Sequence, residues 1–193
     1  SEVKLANHIH LPVQSGSDQV LERMGRGYTS GEYLDIIETL RRESPRISIT
    51  SDIIVGFPGE SDSDFLETMD IVERAKFDSV FSFKYSPRPG TVAADFEDLL
   101  TEETKSARLK TLQTRQMEIS KESNKSMVNT HAKVLVEGPS VKKASELTGR
   151  TSTNKIVNFP GPLALVGKVV EVQIVEAYSN SLRGLLRKEL KCS

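Results

Sequence analysis

Residues 51–60, SDIIVGFPGE, decide the fold of this chain. The β-branched run Ile53-Ile54-Val55 stops at Gly56-Phe57-Pro58-Gly59, and Ser61-Asp62-Ser63-Asp64 then offers a helix start. An apolar run, a glycine-rich loop and a helix cap in that order read as a buried strand ending at a helix N-terminus. In α/β proteins, ligands sit outside the carboxyl ends of such strands.

The flanking sequence repeats the pattern. His8–Val13 predicts a short strand that runs into Gln14-Ser15-Gly16-Ser17, and 18–24 a short helix. Thr29 and Glu32 are spaced as a capping box, and Tyr33, Ile36, Ile37 and Leu40 follow at helical intervals until Pro45. Residues 47–55 form the next predicted strand. Ser61 and Asp64 make a second box, opening a helix to about Ala75 with Phe65, Met69 and Val72 on one side. Residues 79–85 read as a third strand, ending in Ser86-Pro87-Arg88-Pro89-Gly90. This βαβαβ order implies parallel strands with crossover helices. Three such strands leave an open edge, so partner strands are expected from outside the chain. Thr101 is placed to cap a long connecting helix to about Lys125, with Leu109, Leu112 and Ile119 as its buried stripe. Met24, Met69 and Met117 fit helix cores.

Beyond that helix the period changes to two. Ala132, Val134 and Val136 alternate with Lys133, Leu135 and Glu137, and Val170, Val172 and Ile174 with Glu171, Gln173 and Val175. Gly and Pro punctuate the remainder, which predicts a small β-barrel. Charge divides in the same place. Residues 1–122 carry 15 Lys and Arg against 22 Asp and Glu, whereas 123–193 carry 11 against 5. Two domains are expected, 1–122 and 123–193, the second facing a polyanion.

The chain has 193 residues, 37% apolar and 27% charged. It lacks the run of about 18 apolar residues that a membrane span needs, and its first residues do not have the build of a signal peptide. The single cysteine, Cys192, allows no disulfide within the chain, which fits a reducing, cytoplasmic setting. His8 and His10 alternate on a strand and share a face. A metal pair is one reading of them, and a hydrogen-bonded histidine in a barrel is the plainer one.

In a barrel-like first domain the ends Gln14–Ser17, Gly56–Glu60 and Tyr85–Gly90 converge. Together they can enclose a nucleoside-like cofactor; singly they are ordinary strand–helix turns. Arg26 and Arg88 lie in rim loops, where they can meet a carboxylate or an RNA phosphate, or simply face solvent. In the basic domain Lys133, Lys142, Lys143, Arg150, Lys155 and Arg183 are candidate phosphate contacts. Asn154, Asn158 and Asn180 can bond bases or sugars, and Phe159 can stack on an unpaired base or fill the core.

The stretches HIHLPVQSGSDQVLERMGRGYT, SDIIVGFPGE, YSPRPGT, LVEGPS, GRTSTNKIVNFPG and NSLRG, in that order, make the chain resemble the radical S-adenosylmethionine (SAM) methylthiotransferases. Within them it is most similar to the branch acting on N6-isopentenyladenosine in tRNA, over about 7–186. The resemblance implies an α/β partial radical-SAM (TIM-like) barrel followed by a small all-β TRAM (OB-like) barrel. It implies S-adenosylmethionine as cofactor and two 4Fe–4S clusters in the full-length enzyme. It also implies transfer of a methylthio group to C2 of the adenosine beside the anticodon.

The cluster-binding Cys-x-x-x-Cys-x-x-Cys motif is absent here, so none of these clusters is expected to be ligated by this chain. The chain therefore reads as an excised fragment or a cluster-less relative, inactive alone, with an N-terminal portion of the same protein as partner. By resemblance Ile54 and Gly56 lie against the adenine, Gln14 and Ser15 near the ribose or methionine portion, and Tyr85 and Ser86 at a last contact with adenine. No residue is assigned a catalytic or metal role. Asp52 departs from the glycine usual at its place in the Gly-x-Ile-x-Gly-x-x-Glu pattern, and Glu60 falls one residue late. The partner implied is the anticodon stem-loop of tRNA, with no membrane. Other readings are a methylthiotransferase for a ribosomal-protein aspartate or threonylcarbamoyl adenosine, and a non-catalytic RNA-binding module.

Overall fold

A computed structural model describes residues 6–141, 143 and 145–187. They form two compact units, one over 9–119 and the other from Ser120 onward, with the residues before Ile9 grouped with the latter. The break falls three residues before the expected boundary, inside a helix.

In the first unit, β1 (His8–His10), β2 (Ser48–Val55) and β3 (Ser79–Lys84) make a three-stranded sheet in the order β1-β2-β3. β2 and β3 are parallel, with Asp52 opposite Phe81 and Ile54 opposite Phe83. After β1 the chain stays beside β2, where Gln14 N–H donates to the Asp52 carbonyl and Ile54 N–H to that of Gln14. Helices α1 (Asp18–Arg23), α2 (Ser30–Glu43) and α3 (Asp62–Ala75) cover one face. Ile49, Ile53 and Val55, all fully buried, meet Tyr33, Leu34, Ile37, Ile71, Val72 and Phe77 there. Each such side chain contributes about 1.5–3 kcal/mol. The other face, carrying Phe81 and Phe83, is left exposed.

Both capping boxes form. Thr29 Oγ1 accepts from Glu32 N–H while Glu32 Oε2 accepts from Thr29 N–H, and Ser61 and Asp64 do the same for α3. The buried stripes differ from expectation in detail. Ile36 is exposed and Leu34 takes its place. Phe65 and Met69 are only partly buried, and Thr68 and Ile71 hold the centre of the α3 face.

Helix α4 (Glu102–Lys125) begins in the first unit and ends in the second. Leu112 and Ile119 are buried as expected. Met117 is half exposed, because polar anchors carry much of this helix's packing in place of an apolar stripe. Arg115 pairs with Glu73, and Gln116 Nε2 donates to the Phe77 carbonyl at 2.8 Å.

The second unit is a closed barrel in the order β4-β5-β6-β8-β7. Its strands are β4 (His131–Pro139), β5 (Glu146–Thr151), β6 (Ile156–Pro160), β7 (Val169–Ala177) and β8 (Leu182–Leu186). The parallel β6–β8 pair, Val157 opposite Leu182, completes the ring and removes every edge. Inside lie Val134, Val136, Leu147, Val157, Phe159, Val172, Ile174 and Leu182. A Cβ at Gly149 would sit 2.3 Å from the Leu135 carbonyl oxygen, so only glycine lets β4 and β5 approach so closely. No helix among the described residues is long and apolar enough to cross a membrane.

Candidate functional site

A cavity of about 850 Å³ opens beyond the carboxyl ends of β2 and β3. Its wall includes Gln14, Asp52, Ile54, Phe57, Phe83, Tyr85, Ser86 and three arginines, Arg23, Arg26 and Arg88. Alternation along β2 explains two of these. Ile53 and Val55 face the helices, so Asp52 and Ile54 face the cavity.

The mouth is built by aromatic contacts. The Phe57 ring meets Tyr85 edge-on at 5.1 Å between centroids and Phe96 at 6.2 Å. Tyr85 Oη donates to the Ala93 carbonyl at 2.8 Å, which fastens segment 91–96 to the strand end. The Arg23 guanidinium stacks 5.4 Å from the Phe96 ring centre.

Gln14 takes a left-handed backbone (φ 70°), a strained conformation for a residue with a side chain. Two backbone bonds to β2 hold it there. Its side-chain amide lines the cavity with no hydrogen-bond partner among the described residues. Strain of this kind concentrates at binding sites. An uncommitted amide beside the apolar surface of Ile54, Phe57 and Tyr85 fits a nucleoside, which needs a flat apolar wall for its base and polar partners for its sugar.

Ser15 and Gly56, expected beside the cofactor, do not line the cavity. The Ser15 hydroxyl is fully buried, 3.3 Å from Thr68 Oγ1, and accepts from Ser17 N–H. Gly56 (φ 72°) donates its N–H to Glu60 Oε2 at 2.7 Å, and a Cβ there would lie 2.5 Å from the Lys105 side chain. Both residues shape the loops behind the wall.

Glu60 has the same supporting role. It is 2% exposed, its Oε2 also accepts from Arg108 Nη1 at 2.7 Å, and its Oε1 has no partner among the described residues. Burial pushes its carboxyl above the ordinary range, against the opposing Gly56 N–H and the Arg108 guanidinium. Arg108 Nη2 also donates to Asp62 at 2.6 Å, so α4 grips both ends of the turn into α3.

His10 is hydrogen-bonded: Nδ1 lies 3.0 Å from Thr50 Oγ1 and Nε2 3.4 Å from Asp52 Oδ1. Among the described residues no group of three or more His, Cys, Asp or Glu is arranged to hold a metal ion.

In the barrel unit the candidate RNA contacts separate into free and committed groups. Lys133 is exposed, opposite Glu171 on the outer face. Asn158 is half-buried and Asn180 exposed. Arg150 reaches Asn154 Oδ1 at 2.8 Å and Glu137 at 3.2 Å. Arg183 and Lys143 converge on Glu146, at 2.5 and 3.0 Å. Lys155 Nζ is held by Ser123 Oγ and Asn124 Oδ1 at the end of α4. Lys142 lies outside the described residues. Of the two readings open for Phe159 the structure takes the second: the ring is wholly buried in the barrel core and presents no face for a base to stack on. Its place on β6 between the half-buried Asn158 and the exposed Pro160 follows from strand alternation. Among the cavity residues, Asp52, Phe57 and Arg23 were not singled out as contacts. Asp52 was within reach, being two residues from Ile54 on one strand face, whereas Phe57 and Arg23 depend on packing against Phe96.

Residues 2–72 match the Radical SAM superfamily and residues 125–186 match the TRAM domain. The chain is thus similar in its first part to a portion of a radical SAM region and in its second to a TRAM domain. Over 94% of its length the chain is 54% identical to a tRNA-2-methylthio-N(6)-dimethylallyladenosine synthase of Syntrophus aciditrophicus (strain SB), covering 39% of that protein. Proteins of the same name from Natranaerobius thermophilus and Legionella pneumophila (strain Corby) are 49% and 51% identical over 94% and 97% of the chain, which covers 40% and 42% of them. The chain thus spans about two-fifths of the length of the curated relatives it matches.

Proposed function

We propose that this chain is part of a tRNA methylthiotransferase that adds a methylthio group to C2 of N6-dimethylallyladenosine (isopentenyladenosine) beside the anticodon. The observation that carries this reading is the joining, in one chain, of a nucleoside-sized cavity at parallel strand ends to a barrel of the TRAM type. The names of the relatives supply the substrate.

S-adenosylmethionine is the group we assign to the cavity; when bound, it supplies radical chemistry in concert with an iron–sulfur cluster. The chain's own residues bind and orient. Ile54, Phe57 and Tyr85 offer apolar surface to the adenine, and the Gln14 amide and Ser86 hydroxyl offer hydrogen bonds to its polar portions. Ser15 and Gly56 act from behind, keeping the loops in register. The Glu60–Arg108 pair, with the Gly56 N–H on the same carboxylate oxygen, fixes the 56–60 loop behind the wall.

A 4Fe–4S cluster needs several thiolates, and this chain has one cysteine, Cys192, outside the described residues. The clusters do not fit this chain, and no step is assigned to them here. Their ligands belong to a further portion of the same protein, the first partner we propose, and the chain alone is inactive. The second partner is the tRNA anticodon stem-loop, met by Lys133, Lys143, Arg150, Lys155 and Arg183 with Asn154, Asn158 and Asn180. The setting is the cytoplasm, where tRNA is modified.

Mass spectrometry of tRNA nucleosides tests this. A strain lacking the gene should accumulate dimethylallyladenosine without its methylthio group. Unchanged methylthio content would overturn the reading, and loss of a methylthio group from a ribosomal protein instead would redirect it.

A further inference from the structure

Three guanidinium groups, of Arg23, Arg26 and Arg88, line the same cavity. None has a carboxylate partner among the described residues, although this unit pairs other cations closely: Lys84 with Glu102, Lys105 with Asp98, Arg108 with Glu60 and Asp62, Arg115 with Glu73. Two acids share the wall. Asp52 faces His10, and Glu22 pairs with none of the three. Arg26 and Arg88 are exposed at the mouth and come from different loops, those after α1 and β3. Arg23 is half-buried and fixed by Phe96.

We infer that this arginine rim is an oxyanion site for backbone phosphates of RNA, a deepening that rests on the function proposed above. The geometry supports phosphate. An enzyme that works on a base draws that base out of its stack into a pocket. The sugar–phosphate flanking the base then remains at the mouth, where Arg26 and Arg88 stand. Guanidinium forks match phosphate oxygens two at a time, and their charge is permanent. On this view the barrel unit is not the only RNA-binding part of the chain. The rim contributes to register, placing one nucleotide over the cavity, and reads no base itself.

The test uses the full chain, a fluorescein-labelled RNA stem-loop with an adenosine in its loop, and the exposed-site double variant Arg26→Gln/Arg88→Gln. Arg23 is left intact because it packs on Phe96, and a thermal melt checks folding. Anisotropy titrations over a salt series should show roughly tenfold weaker binding for the variant and a log–log salt slope smaller by about 1.4, at about 0.7 per single-strand phosphate contact. Calorimetry with S-adenosylmethionine should be unchanged. RNA affinity and slope equal to the parent's, beside a Lys133→Gln variant that does weaken binding, would overturn the rim inference alone. Weakened cofactor binding with unaltered RNA binding would also overturn it, assigning the arginines to the cofactor carboxylate. A parent chain that binds no RNA at any salt would sink both this inference and the function it rests on.

Discussion

Arg108 clamps Glu60 across 48 residues of sequence, its Nη1 donating to the carboxylate at 2.7 Å and to the Glu60 carbonyl at 3.1 Å. Both side chains are almost fully buried. Removing one partner strands the other charge, a loss of about 3–5 kcal/mol. Arg108→Met should therefore lower the denaturant midpoint strongly, and adding Glu60→Gln should restore part of it. Equal midpoints for Arg108→Met and the parent would show that the clamp holds nothing. The pH response follows from burial, which keeps the Glu60 carboxyl above its ordinary range. A folded chain that retains this proton longer than the unfolded one is favoured by it at low pH. That contribution declines as pH rises through the folded value, and Glu60→Gln should flatten the decline.

Asp64 has the opposite sign. Burial acts to raise its carboxyl, but bonds from Ser17 Oγ at 2.5 Å and from the Ser61 hydroxyl and N–H outweigh it and hold it below the ordinary range. The same side chain joins the N-cap of α1 to the capping box of α3. Its contribution is present above the ordinary aspartate range and is lost as pH falls through the folded value. Asp64→Asn should cost about 2 kcal/mol at neutral pH, and much less in strong acid. Chemical melts at pH 7 and pH 3 compare the two; a cost that does not shrink on acidification would contradict this account.

Tyr33 lies under β1, its hydroxyl donating to the Leu11 carbonyl at 2.6 Å. Burial pushes its phenol up to about 12. The unfolded chain ionises this group first, so stability falls as pH climbs from about 10 toward 12. Burial also raises Tyr28, and the bond to Glu176 raises Tyr178, so ultraviolet titration should find Tyr33 the last of several late tyrosines to ionise in the folded chain. Tyr33→Phe should abolish that last step and cost about 1 kcal/mol or less at neutral pH, because it removes one of the two donors to the Leu11 carbonyl and leaves the Ser51 hydroxyl on it at 2.9 Å. A step near 12 that survives the substitution would assign it to another tyrosine.

Much of this architecture is written locally. Thr29 with Glu32, and Ser61 with Asp64, announce their helices within four residues, and the alternation of β4 and β7 fixes which side chains enter the barrel. The cavity was legible where it follows from strand alternation, as at Ile54, and illegible where it depends on distant packing. Arg23 reaches the wall through Phe96, and Glu60 is turned inward by a helix residue 48 positions away. No spacing rule encodes either. Met117 was misread for a related reason: helical period alone does not show that Arg115 and Gln116 take over the packing of their turn.

Phe159 and Lys133 divide the two tasks of the barrel unit, and substitution should separate them. Phe159 is wholly enclosed by Val134, Leu147, Ile174 and their neighbours, so Phe159→Ala opens a cavity at a cost of about 3–5 kcal/mol. Phe159→Leu retains much of the volume and should cost less while leaving RNA affinity unchanged. Lys133 is exposed on the outer face, so Lys133→Gln should leave the melt within about 0.5 kcal/mol of the parent. Its effect should appear in anisotropy titrations with an RNA stem-loop, as weaker binding and a shallower salt dependence. Were Phe159→Leu to bind RNA poorly while melting like the parent, the buried ring would have to be reached by a base after all, and the division would fail.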